Sequence, residues 1–292
     1  MALPSRSPEE DSQRFEFHRL RPHPQIFNRT TTNNDKHLMP NVAPAALNGD
    51  SAHHTLFART PLRVPLMIVA VIAGGLWVDA AFGWPGQWVA IALTFLVFGW
   101  LYRRSGTIER RMLILCTVIS GVGEVFLSLI WGLYDYQFHN VPLFVPPGHA
   151  LLMTLGLIAT HLFTPRFATG WVSIVVIAAI AWGIFAWIAH IDRFGALLCS
   201  LFLLCTAFGK ARALYATIFM LALIMELYGT ALGNWRWAEI TPWLGLKQSN
   251  PPYSAGAFYG ALDVLVLAAL AAWQRLSPTN TPALMPPRLA AE

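Results

Sequence analysis

Two stretches of the chain, about a hundred residues apart, have the same sequence pattern. This shared pattern decides how the fold is interpreted. Residues 123–153 read GEVFLSLIWGLYDYQFHNVPLFVPPGHALLM, and residues 225–263 read MELYGTALGNWRWAEITPWLGLKQSNPPYSAGAFYGALD. In each stretch a glutamate inside an apolar helix, Glu124 or Glu226, is followed by a glycine, two alternating aromatic residues, a polar loop and a Pro-Pro pair. A carboxylate in hydrocarbon is costly unless it faces a partner or a cavity, so both glutamates are candidate functional residues.

The composition indicates a polytopic membrane protein. Of the 292 residues, 55% are hydrophobic and only 12% are charged, whereas a soluble domain has about a quarter of its residues charged. Apolar runs long enough to cross a bilayer recur along the chain. We predict an all-α membrane helix bundle of about eight spans, with seven or nine as alternatives, at about 64–83, 86–102, 112–133, 148–164, 168–189, 194–209, 212–233 and 253–274.

Basic residues predict the orientation of these spans. Arg103, Arg104, Arg110 and Arg111 crowd the loop between the second and third spans, and such loops are usually cytoplasmic. Both termini are then cytoplasmic, in a multi-pass protein of the cell (inner or plasma) membrane, although basic residues also occur in the opposite loops. This bias accounts for the net charge of +5, so no nucleic-acid partner is expected.

The predicted spans also divide the chain into regions. Residues 1–60 are polar without apolar periodicity, which predicts a disordered tail. Residues 61–276 form the predicted bundle, with halves at about 61–166 and 167–276, and residues 277–292 form a C-terminal tail.

The two glutamates predict an internal repeat. They lie 102 residues apart (226 minus 124) on the third and seventh predicted spans, so an even number of crossings separates them. This favours a parallel four-plus-four duplication, with convergence of two aromatic-flanked helix ends as the alternative. Each lies ~20 Å beyond the nearest cytoplasmic arginine at 1.5 Å per residue, so both carboxyls are expected to face one cavity in the outer half of the membrane.

Further residues join the glutamates as candidates. Asp263 lies near the middle of the last predicted span, one helical turn from Tyr259, while Asp79 either adds a fourth carboxyl or only reaches the interface. The alternating aromatics form either a wall around an apolar or cationic guest or an interfacial belt. We predict catalytic roles for Glu124, Glu226 and Asp263, and substrate binding by Tyr134, Tyr136, His149, Trp235, Trp237, Asn250 and Tyr259.

Structural explanations compete at several of these positions. Asn250 before Pro251-Pro252 also fits a helix N-cap, and Gly229 and Gly233 fit close helix packing. No metal or cofactor is expected, with a His/Glu metal site or a haem near His139 and His149 as the alternative. The chain has no Walker-type loop, GxGxxG or GxSxG, so nucleotide and hydrolase chemistry find no support.

The run from Glu226 to Trp237, together with Asn140-Val-Pro-Leu-Phe-Val-Pro in the other half, resembles the membrane carotenoid-biosynthesis protein family, which includes the C50 carotenoid hydratases. The resemblance covers about forty residues. It implies an intramembrane glutamate that takes part in adding water to an isoprenoid double bond. The chain departs from the family pattern at Trp235 and Trp237, where Tyr and Phe are expected, and at Asn140, where Gly is expected.

The sequence therefore supports three functional hypotheses. A buried, neutral carboxylic acid can protonate an alkene while a second carboxylate acts as base. This favours a membrane enzyme that hydrates, isomerises or cyclises a double bond of a lipophilic isoprenoid-like substrate taken from the bilayer. The alternatives are a proton- or cation-coupled transporter and a non-catalytic assembly subunit whose carboxyls are paired by Asn, Trp or Arg236.

Overall fold

The computed structural model describes residues 60–276, which form a bundle of eight helices and one short two-stranded ribbon. The predicted helical bundle is confirmed, and each predicted span overlaps one helix, with the largest difference at the third span, 112–133, which overlaps α3 and its extension at residues 107–130. The predictions for the tails, 1–60 and 277–292, lie outside the described residues apart from Thr60. The helices are α1 (Arg63–Phe82), α2 (Trp84–Arg104), α3 (Thr107–Glu124), α4 (Val145–His161), α5 (Pro165–Ile188), α6 (Arg193–Phe208), α7 (Arg212–Leu232) and α8 (Gly256–Leu276).

Helix length and surface character place this bundle in a bilayer. Within the described residues, six helices are long and apolar enough to cross a membrane, namely α1, α2, α3 with its extension, α5, α7 and α8. Helices α4 and α6 are shorter, with 17 and 16 residues. Large apolar side chains such as Leu96, Val122 and Ile177 are exposed on the outer faces of the bundle, which water would not favour. The chain is a multi-pass membrane protein.

Local sequence explains where several helices begin and end. The Asp192 carboxylate caps α6 by accepting a hydrogen bond from the backbone N–H of Gly195 at 2.9 Å. Gly233, with φ of 84°, ends α7 in the left-handed conformation that glycine adopts at low cost. The predicted N-cap at Asn250 is wrong, because α8 begins at Gly256.

Helix α3 changes its winding directly after Glu124. Residues Val125–Ile130 continue it as a π-helical turn, and Gly132, with φ of 73°, then reverses the chain. A π-helical turn carries an extra residue per turn and frequently marks a functional site. In α7 the corresponding stretch after Glu226 stays α-helical as far as Leu232.

The ribbon joins the two stretches that carry the glutamates. Strand β1 (Tyr134–Tyr136) pairs antiparallel with β2 (Trp235–Trp237), and Asp135 faces Arg236 at the centre of the register. Side chains alternate across a strand, so the four terminal aromatics are buried on one face while Asp135 and Arg236 are exposed on the other.

Helix packing brings the two glutamate-bearing stretches together next to this ribbon. Helices consecutive in the chain pack as the pairs α1–α2, α3–α4, α5–α6 and α7–α8. In addition α3 packs against α8, and α4 packs against α7. Each glutamate-bearing helix therefore lies beside the helix that follows the other glutamate.

Candidate functional site

Glu124 is buried and all its hydrogen bonds come from one continuous stretch of chain. Its Oε2 accepts from the hydroxyls of Tyr134 and Tyr136, both at 2.7 Å. Its Oε1 lies 2.8 Å from Nε2 of His149 in the first turns of α4. The strand thus binds one carboxylate oxygen and the following helix binds the other.

Glu226 repeats this plan with different side chains. Its Oε2 accepts from the indole N–H groups of Trp235 at 2.8 Å and Trp237 at 3.1 Å. Its Oε1 accepts from the hydroxyl of Tyr259 on α8 at 2.9 Å. Indole N–H groups only donate, so Glu226 is held by two side chains that cannot take up a proton.

The ribbon tyrosines are neutral donors to Glu124. Burial and the negative charge of Glu124 raise the pKa of Tyr134 and of Tyr136 well above the ordinary phenol value. Both hydroxyls therefore keep their protons and stabilise the carboxylate.

The two carboxylate groups meet through a pair of stacked rings. The His149 imidazole and the Tyr259 phenol have centroids 4.7 Å apart and an angle of 29° between planes. Nδ1 of His149 is buried and has no hydrogen-bond partner. The imidazole thus binds Glu124 through one nitrogen and leaves the other free for a ligand or a proton.

Two cavities meet at this cluster. The α4–α7 cavity has about 50 Å³ of free volume, and the α3–α8 cavity has about 200 Å³. Apart from the cluster itself, both are lined mainly by apolar side chains. Five residues line both cavities: Glu124, Tyr134, His149, Glu226 and Tyr259.

The structure brings together eight of the ten residues predicted for the site. These are Glu124, Glu226, Tyr134, Tyr136, His149, Trp235, Trp237 and Tyr259. Asn250 lies apart from the cavities, where its Oδ1 accepts from the backbone N–H of Trp237 at 2.9 Å. This hydrogen bond helps to position a ribbon residue.

The structure does not bring Asp263 to the glutamates. Its side chain is buried, Oδ2 has no hydrogen-bond partner, and it lines neither of the two cavities. Helix α8, which carries Asp263, packs against α3 and α6 as well as α7. The three-carboxyl cluster expected from the sequence is thus a pair in the structure.

Other polar residues considered in the sequence also lie away from the pair. His139 is exposed and pairs with Asp135 on the outer face of the ribbon, so it does not join His149 beside Glu124. Asp79 is buried and accepts a hydrogen bond from Nδ2 of Asn234 at 2.8 Å. Within residues 60–276 no group of three or more His, Cys, Asp and Glu is placed to hold a metal ion.

One residue that fixes the site was missed by the sequence reasoning. Asp192 is fully buried, and besides capping α6 it accepts from the backbone N–H groups of Ser249 at 3.3 Å and Tyr253 at 2.9 Å. It thereby anchors the loop between β2 and α8. An aspartate just before an apolar run signals the cap, but the bonds to the distant loop have no local signal.

Comparison with known proteins gives no match to a protein-family model, to a curated protein or to a solved structure. The interpretation of the site therefore rests on the residues of this chain. They define a multi-pass membrane bundle in which two buried carboxylates, one bound to an imidazole and one bound only to donors, face common apolar cavities.

Proposed function

We propose that this chain is an integral membrane enzyme that performs acid–base chemistry on a double bond of a lipophilic, isoprenoid-like substrate. The observation that carries the proposal is the unequal surroundings of two carboxylates that line the same cavities. Glu124 contacts an imidazole that can hold a proton, whereas Glu226 contacts only two indoles and a phenol. Two acids in different environments can divide the roles of acid and base.

The first step uses the proton held between Glu124 and His149. That proton adds to one carbon of the double bond, and the π electrons form the new C–H bond. The other carbon becomes a cation, and the negative charge of Glu226 stabilises it from across the shared cavity. General acid catalysis of this kind contributes roughly 10²–10⁴-fold to the rate.

The second step decides the product. When a water oxygen bonds to the cation, the water proton passes to Glu226, and one water has been added across the double bond. When Glu226 instead takes a proton from the neighbouring carbon, the double bond moves and the substrate is isomerised. When a second double bond of the substrate attacks the cation instead, a ring and a new cation form, and Glu226 takes a proton from the carbon next to that new cation. In each case the proton gained by Glu226 returns to the Glu124–His149 pair before the next turnover.

The cavity walls suit such a cation. Aromatic faces stabilise positive charge, and Tyr134 and Trp237 line the α3–α8 cavity beside the carboxylates. Apolar walls exclude bulk water, which strengthens electrostatic interactions inside the cavity. The family resemblance of the Glu226–Trp237 run, which implies hydration of an isoprenoid, points to the same reaction class.

We also propose that the bundle is a parallel repeat of two four-helix halves, with eight crossings and both termini cytoplasmic in the cell membrane. Glu124 and Glu226 have matched partners: two ribbon aromatics on one carboxylate oxygen and one ring from the next helix on the other. The packing of α3 on α8 and of α4 on α7 is matched in the same way.

A proton-coupled carrier is the second candidate. The buried Glu124–His149 pair favours it, because such a pair can load and release a proton between two cavities. The third candidate, an assembly subunit, uses the carboxylates only for structure. Two of the tryptophans that it expects as partners, Trp235 and Trp237, do bind Glu226. Arg236, its other expected partner, is exposed and lies 3.7 Å from Glu239.

Product analysis separates these candidates. Membranes of cells with and without the chain are extracted, and their isoprenoids and carotenoids are compared by chromatography and mass spectrometry. The enzyme changes that profile and loses the change in Glu124→Gln and Glu226→Gln at matched expression. An unchanged profile combined with proton-driven uptake that both variants abolish would assign a carrier, and an unchanged profile without uptake would assign a structural subunit.

A further inference from the structure

The two cavities at the carboxylate pair are built from corresponding positions of the two halves. Gly123 precedes one glutamate and lines the α3–α8 cavity, while Met225 precedes the other and lines the α4–α7 cavity. The helices that follow the two ribbon strands, α4 and α8, also correspond in position, with the stacked rings of His149 and Tyr259 at matching sites. The matching positions, each 110 residues apart, are Val145 with Ala255, Gly148 with Phe258, His149 with Tyr259 and Leu152 with Leu262.

Helix α1 covers one side of the α4–α7 cavity. Val71, Ile72, Gly75 and Leu76 of α1 form part of its wall. The Tyr228 hydroxyl, on α7, also donates to the backbone carbonyl of Ala73 at 3.3 Å and so ties α1 to this side of the bundle. With about 50 Å³ of free volume, this cavity holds far less than a ~150 Å³ cavity that admits benzene.

The α3–α8 cavity has no such cover among the described residues. No side chain of α1, α2, α5 or α6 lines it. Its margin includes Phe126 and Leu265, which are 41% and 56% exposed on the outer surface of the bundle. A side chain added at Gly123 would meet no atom within 4 Å of its Cβ. The cavity is thus continuous from the carboxylates to the surface that faces lipid.

We propose that the seam between α3 and α8 is the entrance through which the hydrocarbon chain of a membrane-resident ligand reaches the carboxylate pair. The hydrocarbon chain occupies the α3–α8 cavity, and the smaller α4–α7 cavity has room only for its last few carbons. The identification of the ligand as an isoprenoid rests on the proposed function, whereas the path rests on the cavity, its apolar lining and its opening to lipid.

A photoreactive probe tests this path. The purified protein in phosphatidylcholine nanodiscs is irradiated with a geranylgeraniol analogue that carries a diazirine near its hydrocarbon end, and labelled residues are mapped by mass spectrometry. We expect saturable labelling within residues 119–127 and 255–265 that excess geranylgeraniol displaces. Labelling that excess geranylgeraniol does not displace would contradict the proposed entrance. Equal labelling on the outer face of α5 would also contradict it.

Variants at the seam sharpen the test. Gly123→Leu fills the cavity and should reduce the displaceable labelling at least tenfold, whereas its matched control Val122→Leu lies on the lipid-facing surface and lines neither cavity. A second variant, Leu265→Trp, blocks the opening of the α3–α8 cavity from helix α8. Its control is Val122→Trp, and this pair replaces the first pair if Gly123→Leu fails to fold. Equal labelling of variants and controls would contradict the proposal. So would displaceable labelling that appears only after residues 277–292 are removed, since that tail would then be the occupant.

The same samples separate this proposal from the proposed function. Glu124→Gln and Glu226→Gln keep the entrance, so they should keep the displaceable labelling while losing product. Displaceable labelling without any product in the native chain would retain the entrance and reject the enzyme. Product formation without displaceable labelling at the seam would retain the enzyme and reject the entrance.

Discussion

His149 and Tyr259 stack on one another, with ring centroids 4.7 Å apart, while each hydrogen-bonds a different buried glutamate. The two carboxylate groups are therefore in contact through one pair of rings. The imidazole has two ring nitrogens that can each donate or accept a hydrogen bond, whereas the phenol has a single hydroxyl, so the two rings should respond differently to substitution.

Replacing each ring by phenylalanine tests that difference. His149→Phe keeps a stacked ring but removes the group that shares the proton of Glu124, so product formation should fall by roughly 10²–10⁴-fold. Tyr259→Phe removes one donor to Glu226 and should have a smaller effect. The measurement is initial rate of product formation in membranes at matched expression. Full activity in His149→Phe would show that the imidazole does not handle the proton.

The carboxylates are tested by isosteric neutral substitutions. Glu124→Gln and Glu226→Gln should each lower turnover by roughly 10²–10⁴-fold because no transferable proton or base remains. The bundle should still fold, since a neutral amide is easier to bury than a charge. Asp263→Asn is the matched control, because this buried carboxyl lines neither of the two cavities. It should retain activity, and loss of activity in this variant would return Asp263 to the site.

Gly229 tests how closely α7 approaches the ribbon. A Cβ at this position would lie 2.1 Å from the Trp235 indole, so Gly229→Ala must displace that ring and its bond to Glu226. Overpacking of this kind costs about 1–3 kcal/mol in free energy of unfolding. Gly123→Ala is the control, because an added Cβ there has no neighbour within 4 Å. Thermal unfolding in detergent compares the two, and equal midpoints would contradict the expected clash.

The indole donors to Glu226 should contribute measurable stability. Trp235→Phe removes a hydrogen bond to a charged group, which is worth about 1.5–3 kcal/mol. The control is Trp243→Phe, since Trp243 is exposed and does not bind a glutamate. Unfolding midpoints at neutral pH provide the comparison. A smaller loss for Trp235→Phe than for Trp243→Phe would argue that Glu226 is not charged in the folded protein.

Asp192 should couple α6 to the loop before α8. Asp192→Ala leaves the backbone N–H groups of Gly195, Ser249 and Tyr253 without their acceptor, and each buried unsatisfied group costs about 1–3 kcal/mol. Asp192→Asn keeps an acceptor oxygen and should be milder. Hydrogen exchange of residues 249–253 measures the effect. Unchanged protection in Asp192→Ala would show that the loop is held by other contacts.

The helices and the carboxylate pair could be predicted from the sequence because both have local physical causes. A span needs about twenty apolar residues, and an acid within one needs a partner or a cavity. Helical periodicity also puts Tyr259 and Asp263 on one face of α8, but only Tyr259 reaches a glutamate. Periodicity does not tell which part of that face meets the cavity. Helix α8 packs against α3 and α6, which are distant in sequence.

The ribbon and the start of α8 could not be predicted in this way. Strands of three residues carry almost no periodic signal, and Tyr134 pairs with Trp237, which is 103 residues away. The Pro-Pro pair at 251–252 predicted a helix start, but Asp192 binds the backbone of Tyr253 and holds this stretch in a loop. Long-range hydrogen bonds decided both outcomes.

The hydrogen bonds of the two glutamates also bear on how the protein enters the membrane. The hydrogen-bond partners of Glu124 lie at residues 134, 136 and 149, and those of Glu226 at residues 235, 237 and 259. Each set is therefore made within a single helical hairpin and its connecting loop. A nascent chain that has been synthesised only through α4 already carries every partner of its first acid. During biogenesis each carboxylate can therefore be hydrogen-bonded in the membrane without side chains from outside its own hairpin.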